Sequence, residues 1–301
     1  MATSVMLERV HDTQITAPRR TIARSTSEAC LVHMYPTGTN MGKRFPLGGS
    51  DVFLGRGDDN QIRINDNSVS RRHAKVVSTP EGYFINDLQS TNGTFVNDTP
   101  ASNPTQLRDG NHVRVGNCIY KFLTGGNIEA DYHEEIYRLT IVDALTDIHN
   151  RRYLVDFLDR ELARSIRHER PLSVIIFDID RFKLVNDTHG HLSGDFVLRE
   201  LSLRIRNHVR REDLFARSGG EEFCMILVET PLPDALEVAE RVRKTVEEKC
   251  FTFESNCLPI TISLGVASTT GERGLTAAEL LKRADEKLYV AKNAGRNRVE
   301  S

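Results

Sequence analysis

The chain has 301 residues, enough for two compact domains that each bury their own core. Its 40 Lys and Arg stand against 42 Asp and Glu for a formal net charge of -2, so it lacks the basic field that draws nucleic acid or an anionic membrane surface. Hydrophobic residues make up 39%, with no apolar run of membrane-spanning length and no secretion-signal core in Met1 to Thr13, so membrane partners are not expected and a cytoplasmic location is. Five cysteines, Cys30, Cys118, Cys224, Cys250 and Cys257, show no Cys-x-x-Cys spacing and are expected to be reduced thiols.

In chain order, residues 1–28 come first, with Thr13, Thr16, Thr21 and Thr26 set among Arg19, Arg20 and Arg24 and little apolar periodicity, the pattern of a flexible tail. Residues 29–124 follow as short β-type runs between polar turns: Cys30 to Met34, Asp51 to Leu54, His73 to Val77, Gly82 to Ile85, and Val113 to Phe122. This is an all-β sandwich pattern. Between the runs lie Gly55-Arg56-Gly57, Ser70-Arg71-Arg72-His73 and Ser90-Thr91-Asn92-Gly93-Thr94. A nucleic-acid patch built on Arg71, Arg72 and Lys75 is disfavoured, because no wider basic surface accompanies them.

This set of loops resembles the forkhead-associated (FHA) family of phosphothreonine-peptide binding modules. The resemblance implies that Arg56 pairs with the phosphate, that Ser70 adds a hydroxyl donor and Arg71 further charge, and that Thr91 and Asn92 hold the peptide backbone. His73 is then expected to brace the binding loop through buried hydrogen bonds instead of doing chemistry. The threonines of the tail become candidate ligands, captured in cis or from a neighbouring subunit once phosphorylated.

Residues 125–142 read as a helical linker, a short semi-rigid connector with apolar points at Ile136, Leu139 and Ile141 and no long heptad. Residues 143–301 change character. Leu172 to Phe177 is a buried-strand run that ends in Asp178-Ile179-Asp180, and carboxylates at a strand's end commonly face a cleft. Arg217-Ser218-Gly219-Gly220-Glu221-Glu222-Phe223 places two glycines at a hairpin tip, read as a turn using positive φ, with free space above it and hard oxygen donors beside it. If that hairpin adjoins the strand, Asp178 and Glu221 can share one cation, and strand-end carbonyls add ligands. Near the C-terminus, Lys292 and Arg296 lie four apart, so a helix persisting through Gly295 would present both cations on one face to nucleotide phosphates. His189 and His191 are expected to serve their loop instead of a metal.

From about residue 139 to 300 the ordered motifs resemble the GGDEF family, the diguanylate cyclases, in its GGEEF form. They comprise Asp143 to Arg152, Phe177 to Lys183 with Asn186-Asp187 and Gly190 to Asp195, the Gly219 to Phe223 hairpin, Ile260 to Ala267, and Lys292 with Gly295-Arg296-Asn297. The resemblance implies a palm-like α/β nucleotide cyclase domain with a mixed, mainly antiparallel sheet. It implies that a homodimer, binding one GTP per subunit, makes cyclic di-GMP and two pyrophosphates. It assigns Asp178, Glu221 and the carbonyl of Ile179 to Mg²⁺, with Mn²⁺ as an alternative, and makes Glu222 a third acidic position for metal binding or hydroxyl deprotonation. Asn186 and Asp195 would read guanine, where an adenine N1 would leave the carboxylate unpaired. Phe182 and Lys183 would hold the triphosphate through backbone N–H groups.

Arg210 and Asp213 sit at the family's product-inhibition spacing, which implies a site for cyclic di-GMP. Ser218 and Asp147-Ile148-His149 depart from the usual pattern, which bears on rate and not on reaction type. The alternative function is a catalytically silent adaptor that binds cyclic di-GMP and phosphopeptides.

Overall fold

A computed structural model of the chain describes residues 28–36, 40–101, 104–125 and 128–301. The tail threonines Thr13, Thr16, Thr21 and Thr26 lie outside the described residues. In the N-terminal half, alternation of apolar and polar residues gives each strand one buried side, and two sheets close over those sides. The first sheet runs in the order β2 (Arg44–Pro46), β1 (Cys30–Tyr35), β11 (Cys118–Leu123), β10 (His112–Val115), β7 (Thr94–Val96) and β8 (Thr99–Pro100). The second runs β4 (Ile62–Arg63), β3 (Val52–Gly55), β5 (Ala74–Thr79), β6 (Gly82–Asp87) and β9 (Thr105–Leu107). Leu31, Leu54, Val76, Ile85, Val113 and Phe122 fill the core between them. The single run expected from Val113 to Phe122 is two strands, because Gly116 turns the chain at a φ of +59° and β10 pairs back on β11.

Helix α1 (Ile128–Ile141) leaves the sandwich without losing contact with it. Arg44 of β2 pairs with Glu134 at 2.7 Å, and Lys121 of β11 pairs with Glu129. Gly42 lies so near that a Cβ there would sit 2.9 Å from the His133 carbonyl.

The C-terminal half is an α/β domain whose six-stranded sheet runs β12 (His149–Asn150), β14 (Leu214–Gly219), β15 (Glu222–Val228), β13 (Pro171–Ile179), β18 (Ile262–Thr270) and β19 (Val299–Glu300). The four central strands are antiparallel to one another, and each edge strand pairs in parallel with the strand beside it. Helices α2 (Arg151–His168), α3 (Phe182–His189), α4 (His191–Arg206), α5 (Leu232–Glu247) and α6 (Ala277–Asn293) cover it. Both faces are buried, which is why β13 reads as an unbroken apolar run.

Period-2 geometry then sorts β13. Ile175, Phe177 and Ile179 pack with Val197 and Leu201 of α4 and Ala239 of α5, while Leu172 and Val174 pack with Leu158 of α2 and Leu280 of α6. Asp178 therefore belongs to the side covered by α2 and α6.

A small hairpin, β16 (Phe251–Phe253) and β17 (Asn256–Leu258), carries a disulfide between Cys250 and Cys257 with Cα atoms 5.6 Å apart. The expectation of reduced thiols fails for this pair, because a tight reversal brings together cysteines whose sequence spacing carries no signal. Cys30, Cys118 and Cys224 are buried and in no disulfide. Among the described residues no helix is long and apolar enough to cross a membrane.

Candidate nucleotide and phosphopeptide sites

Strand pairing assembles the acidic centre. Asp178 lies opposite Glu222 across the β13–β15 ladder, and the Ile179 N–H donates to the Glu221 carbonyl at 3.4 Å. Phe177, Phe215 and Phe223, one from each neighbouring strand, stack with centroids 5.4 to 6.1 Å apart beneath this end of the sheet. Asp178 is 7% exposed and receives the Lys292 ammonium at 2.9 Å. Burial pushes its pKa up to about 6, the Lys292 ion pair opposes the rise, and the charges of Glu221 and Glu222 add to it.

The two glycines of the hairpin do not act as expected. Neither Gly219 nor Gly220 adopts positive φ; the turn closes with a register shift between Arg217 and Gly219. Their contribution is space. A Cβ at Gly220 would meet nothing within 4 Å, and one at Gly219 would meet only the Glu222 carboxylate at 3.7 Å.

Among the described residues no three His, Cys, Asp or Glu side chains converge as a ready-made metal centre. The donors at the tip are the Asp178 and Glu221 carboxylates and strand-end carbonyls such as that of Ile179. That sparse, oxygen-only set suits a hard divalent cation that keeps waters in its shell.

The expectation for Arg296 is corrected. Helix α6 stops at Asn293 and Gly295 turns at a φ of +116°, so Lys292 and Arg296 do not share a helical face. Arg296 is exposed on the turn, its N–H bonded to the Ala291 carbonyl at 3.0 Å.

Beyond β13 the chain enters α3 through Arg181, at a φ of +57°, and no side chain caps the helix. The leading amides of Phe182 and Lys183 thus point outward at the positive end of the helix. The Phe182 ring is buried in the core. Asn186 lies against α4 so closely that a Cβ on Gly194 would fall 2.0 Å from its Oδ1, which sets Asn186 beside Asp195. Asp195 is half-buried, 4.0 Å from Arg199.

Three residues outside the predicted set hold this arrangement. Arg217 donates to the Gly220 carbonyl at 2.6 and 2.9 Å and to Asp143 at 3.0 Å, tying the hairpin tip to the turn before α2. Burial tends to raise the Asp143 pKa, but hydrogen bonds from Thr146 and Arg217 hold it below the usual carboxylate range. Asp180 is buried and accepts from Thr261 Oγ1 at 2.7 Å, Ser263 Oγ at 2.6 Å and the Asn297 N–H at 3.0 Å, fastening the end of β13 to the turn after α6. The Asp-x-Asp pattern was the available signal for Asp180; Asp143 and Arg217 each lie in a quoted motif, but their pairing across 74 residues leaves no trace in a short window.

Arg210 and Asp213 sit away from the tip, on the wall of a cavity of about 660 Å³ that also takes in Arg138 of α1, Arg206 of α4 and His149. Asp213 accepts from the Val228 N–H at 2.9 Å, and burial raises its pKa against the pull of Arg210.

In the sandwich, the Arg56 N–H bonds the Ser70 carbonyl at 2.9 Å and the Gly57 N–H bonds the Arg71 carbonyl at 2.9 Å. Ser70 Oγ accepts from the Thr91 N–H at 3.1 Å, so Arg56, Ser70, Arg71 and Thr91 meet at one end of the sandwich. Asn92 spends its amide nitrogen on the Ser68 carbonyl at 2.7 Å. His73 is fully buried, with Nδ1 accepting from the Ser70 N–H at 3.1 Å and Nε2 at 3.1 Å from the Gly93 carbonyl, and burial lowers its pKa. Asn60, missed in the sequence, donates to the Gly57 and Arg71 carbonyls at 2.8 and 2.7 Å and fixes the Arg56 loop.

Residues 140–298 match the family described as diguanylate cyclase, GGDEF domain, and residues 52–116 match the FHA domain. The chain is similar to the response regulator PleD of Caulobacter vibrioides, 49% identical over 163 residues that make up 54% of this chain and 36% of that one. It is also similar to diguanylate cyclase DosC of Escherichia coli, 35% identical over 275 residues, 91% of this chain and 57% of that one. The chain thus spans less than two thirds of either relative. The crystal structure of the coiled coil and GGDEF domain of DgcB from Caulobacter crescentus in complex with c-di-GMP aligns with a TM-score of 0.54 and 32% identity, covering 56% of this chain and 90% of that one.

Proposed function

The chain belongs to the GGDEF family, and from that premise we propose that its C-terminal half, residues 143–301, condenses two GTP into cyclic di-GMP and two pyrophosphates. The observation that carries the reading is the meeting of Asp178, Glu221 and Lys292 beneath a hairpin tip left open by Gly219 and Gly220. Asp178, Glu221 and the Ile179 carbonyl hold Mg²⁺, which supplies charge neutralisation to the phosphates when bound. Glu222, exposed beside them, assists metal binding or takes the proton of the attacking 3′-hydroxyl. The α3 amides of Phe182 and Lys183 receive phosphate oxygens, and Lys292 and Arg296 add positive charge from the α6 end. Asn186 and Asp195 read guanine.

One site holds one nucleotide, so a second copy must face the first and the working enzyme is a homodimer in the cytoplasm, where GTP is supplied. Arg210 and Asp213 bind cyclic di-GMP and restrain the rate, as the cavity they line allows. The sandwich, residues 29–124, binds a phosphothreonine peptide through Arg56, Ser70, Arg71, Thr91 and Asn92, and a tail threonine is one candidate. Docking reaches the cyclase through the connector, residues 125–142, which grips the sandwich.

Purified protein with GTP and Mg²⁺, with and without phosphothreonine peptide, is expected to release pyrophosphate and cyclic di-GMP in a ratio of two to one. Added product is expected to slow the parent and not Arg210→Ala. Absence of both products in both conditions contradicts the enzyme and favours the adaptor that only binds cyclic di-GMP and phosphopeptides.

A further inference from the structure

The phosphopeptide end of the sandwich does not stand alone. A cavity of about 330 Å³ is walled by Arg56, Asp58, Arg63 and Arg71 of the sandwich and by Arg167 of α2, in the cyclase half. Arg167 reaches across to Asp58 at 2.8 Å, and Asp58 is also held by Arg63 at 2.9 Å. The Arg56 side chain donates to the Val69 carbonyl at 3.3 Å, and among the described residues neither Arg56 nor Arg71 has an ion-pair partner. Four guanidinium groups therefore border a space in which Asp58 and Asp59 are the only carboxylates, and Asp59 is itself paired with Arg72 at 3.1 Å. The cavity is cationic, suited to a group with close to two negative charges. The Arg167–Asp58 pair is about half exposed on both sides, so it contributes little to stability and is readily exchanged.

We propose that Arg167 is a phosphate ligand supplied by the cyclase half, so that a phosphothreonine dianion is gripped jointly by Arg56 and Arg71 on the sandwich and by Arg167 on α2. This rests on the phosphopeptide reading of the sandwich and adds to it a ligand from the other domain. The incoming phosphate takes the Arg167 fork from Asp58, a charge-assisted bond to a dianion replacing a solvated one to a monoanion. Phosphopeptide docking then clamps α2 onto the Arg56 loop. Helix α2 begins at Arg151, capped by the Asn150 side chain, a few residues after the Asp143 turn that holds Arg217 and the hairpin tip.

The test is fluorescence polarisation on the full chain, with a labelled peptide mixture fixed as phosphothreonine at its centre and degenerate on either side. Arg56→Ala is expected to abolish binding and Arg167→Ala to weaken it about tenfold. Arg167→Lys, which keeps the charge and loses the fork, falls between. Asp58→Asn, which releases Arg167, tightens binding in the parent by more than it does in the Arg167→Ala background, where only Arg63 is freed and the carboxylate repulsion lost. Arg164→Ala, an exposed arginine one turn away, leaves affinity unchanged. If Arg56→Ala abolishes binding while Arg167→Ala stays within about twofold of the parent, or Arg164→Ala weakens binding as much as Arg167→Ala, the Arg167 assignment falls and the phosphopeptide reading stands. If the parent binds phosphorylated and unphosphorylated mixtures alike, the underlying reading falls and takes the proposal with it. Arg167 is exposed, so thermal melts of its variants are expected to match the parent and secure the comparison.

Discussion

A buried carboxylate whose pKa has risen works against folding wherever it is ionised. Asp178 moves from 3.8 to about 6, so the folded state binds its proton more tightly than the unfolded chain, and stability falls as pH climbs through that window. Above it the cost is constant, about 2–3 kcal/mol at 1.36 kcal/mol per unit. Asp178→Asn is therefore expected to raise denaturant-unfolding stability by about 1–3 kcal/mol at neutral pH with divalent metal chelated, and to lose that advantage below about pH 4. Equal stability at both pH values contradicts the account of the site as a strained charge. Gly220 tests space rather than charge. With no positive φ and open surroundings, Gly220→Ala is expected to leave stability within about 0.5 kcal/mol and to raise the KM for GTP about tenfold or more, as measured by initial rates. Asp178 and the glutamate pair were legible in the sequence because their neighbours lie within one strand end and one turn. The bracing contacts of Arg217 and Asp180 were not, since their anchors, Asp143 and Asn297, lie 74 and 117 residues away and meet them only through the fold.

At the scale of elements, the position of Lys292 depends on how closely α6 lies on β18. A Cβ on Gly265 would fall 2.1 Å from the Ala284 carbonyl and 2.2 Å from the Leu288 nitrogen, backbone atoms that cannot swing aside. Gly265→Ala is expected to cost about 1–3 kcal/mol and to lift the end of α6 from the sheet. The pairing of Lys292 with Asp178 then loosens, and turnover falls by more than the folded fraction explains. Calorimetry and rate measurements on the same sample check this, and parent-like values in both contradict it. The main strand runs of the first half and β13 of the second follow from residue patterns in short windows. The helix end at Asn293 did not, because Lys292 and Arg296 have ideal helical spacing while Gly295 adopts a φ that ends the helix. The β16–β17 disulfide was equally hidden, since only the hairpin brings its cysteines together.

Across the whole molecule, the GGDEF half and the FHA half meet along α1 and at the Asp58–Arg167 pair. The division into two domains was plain from the change of pattern near residue 125. Their contact was not, because exposed arginines on α2 look like any solvated helix face until the fold sets them against the Arg56 loop. The account rests on Asp178 and Glu221 holding a divalent cation together with a guanosine triphosphate. Electron paramagnetic resonance of Mn²⁺ in the presence of a non-hydrolysable GTP analogue measures this directly. The parent is expected to sequester Mn²⁺ with the nucleotide, and folded Asp178→Asn and Glu221→Gln to lose that signal by about tenfold or more in affinity. Undiminished Mn²⁺–nucleotide binding in both variants would contradict the account.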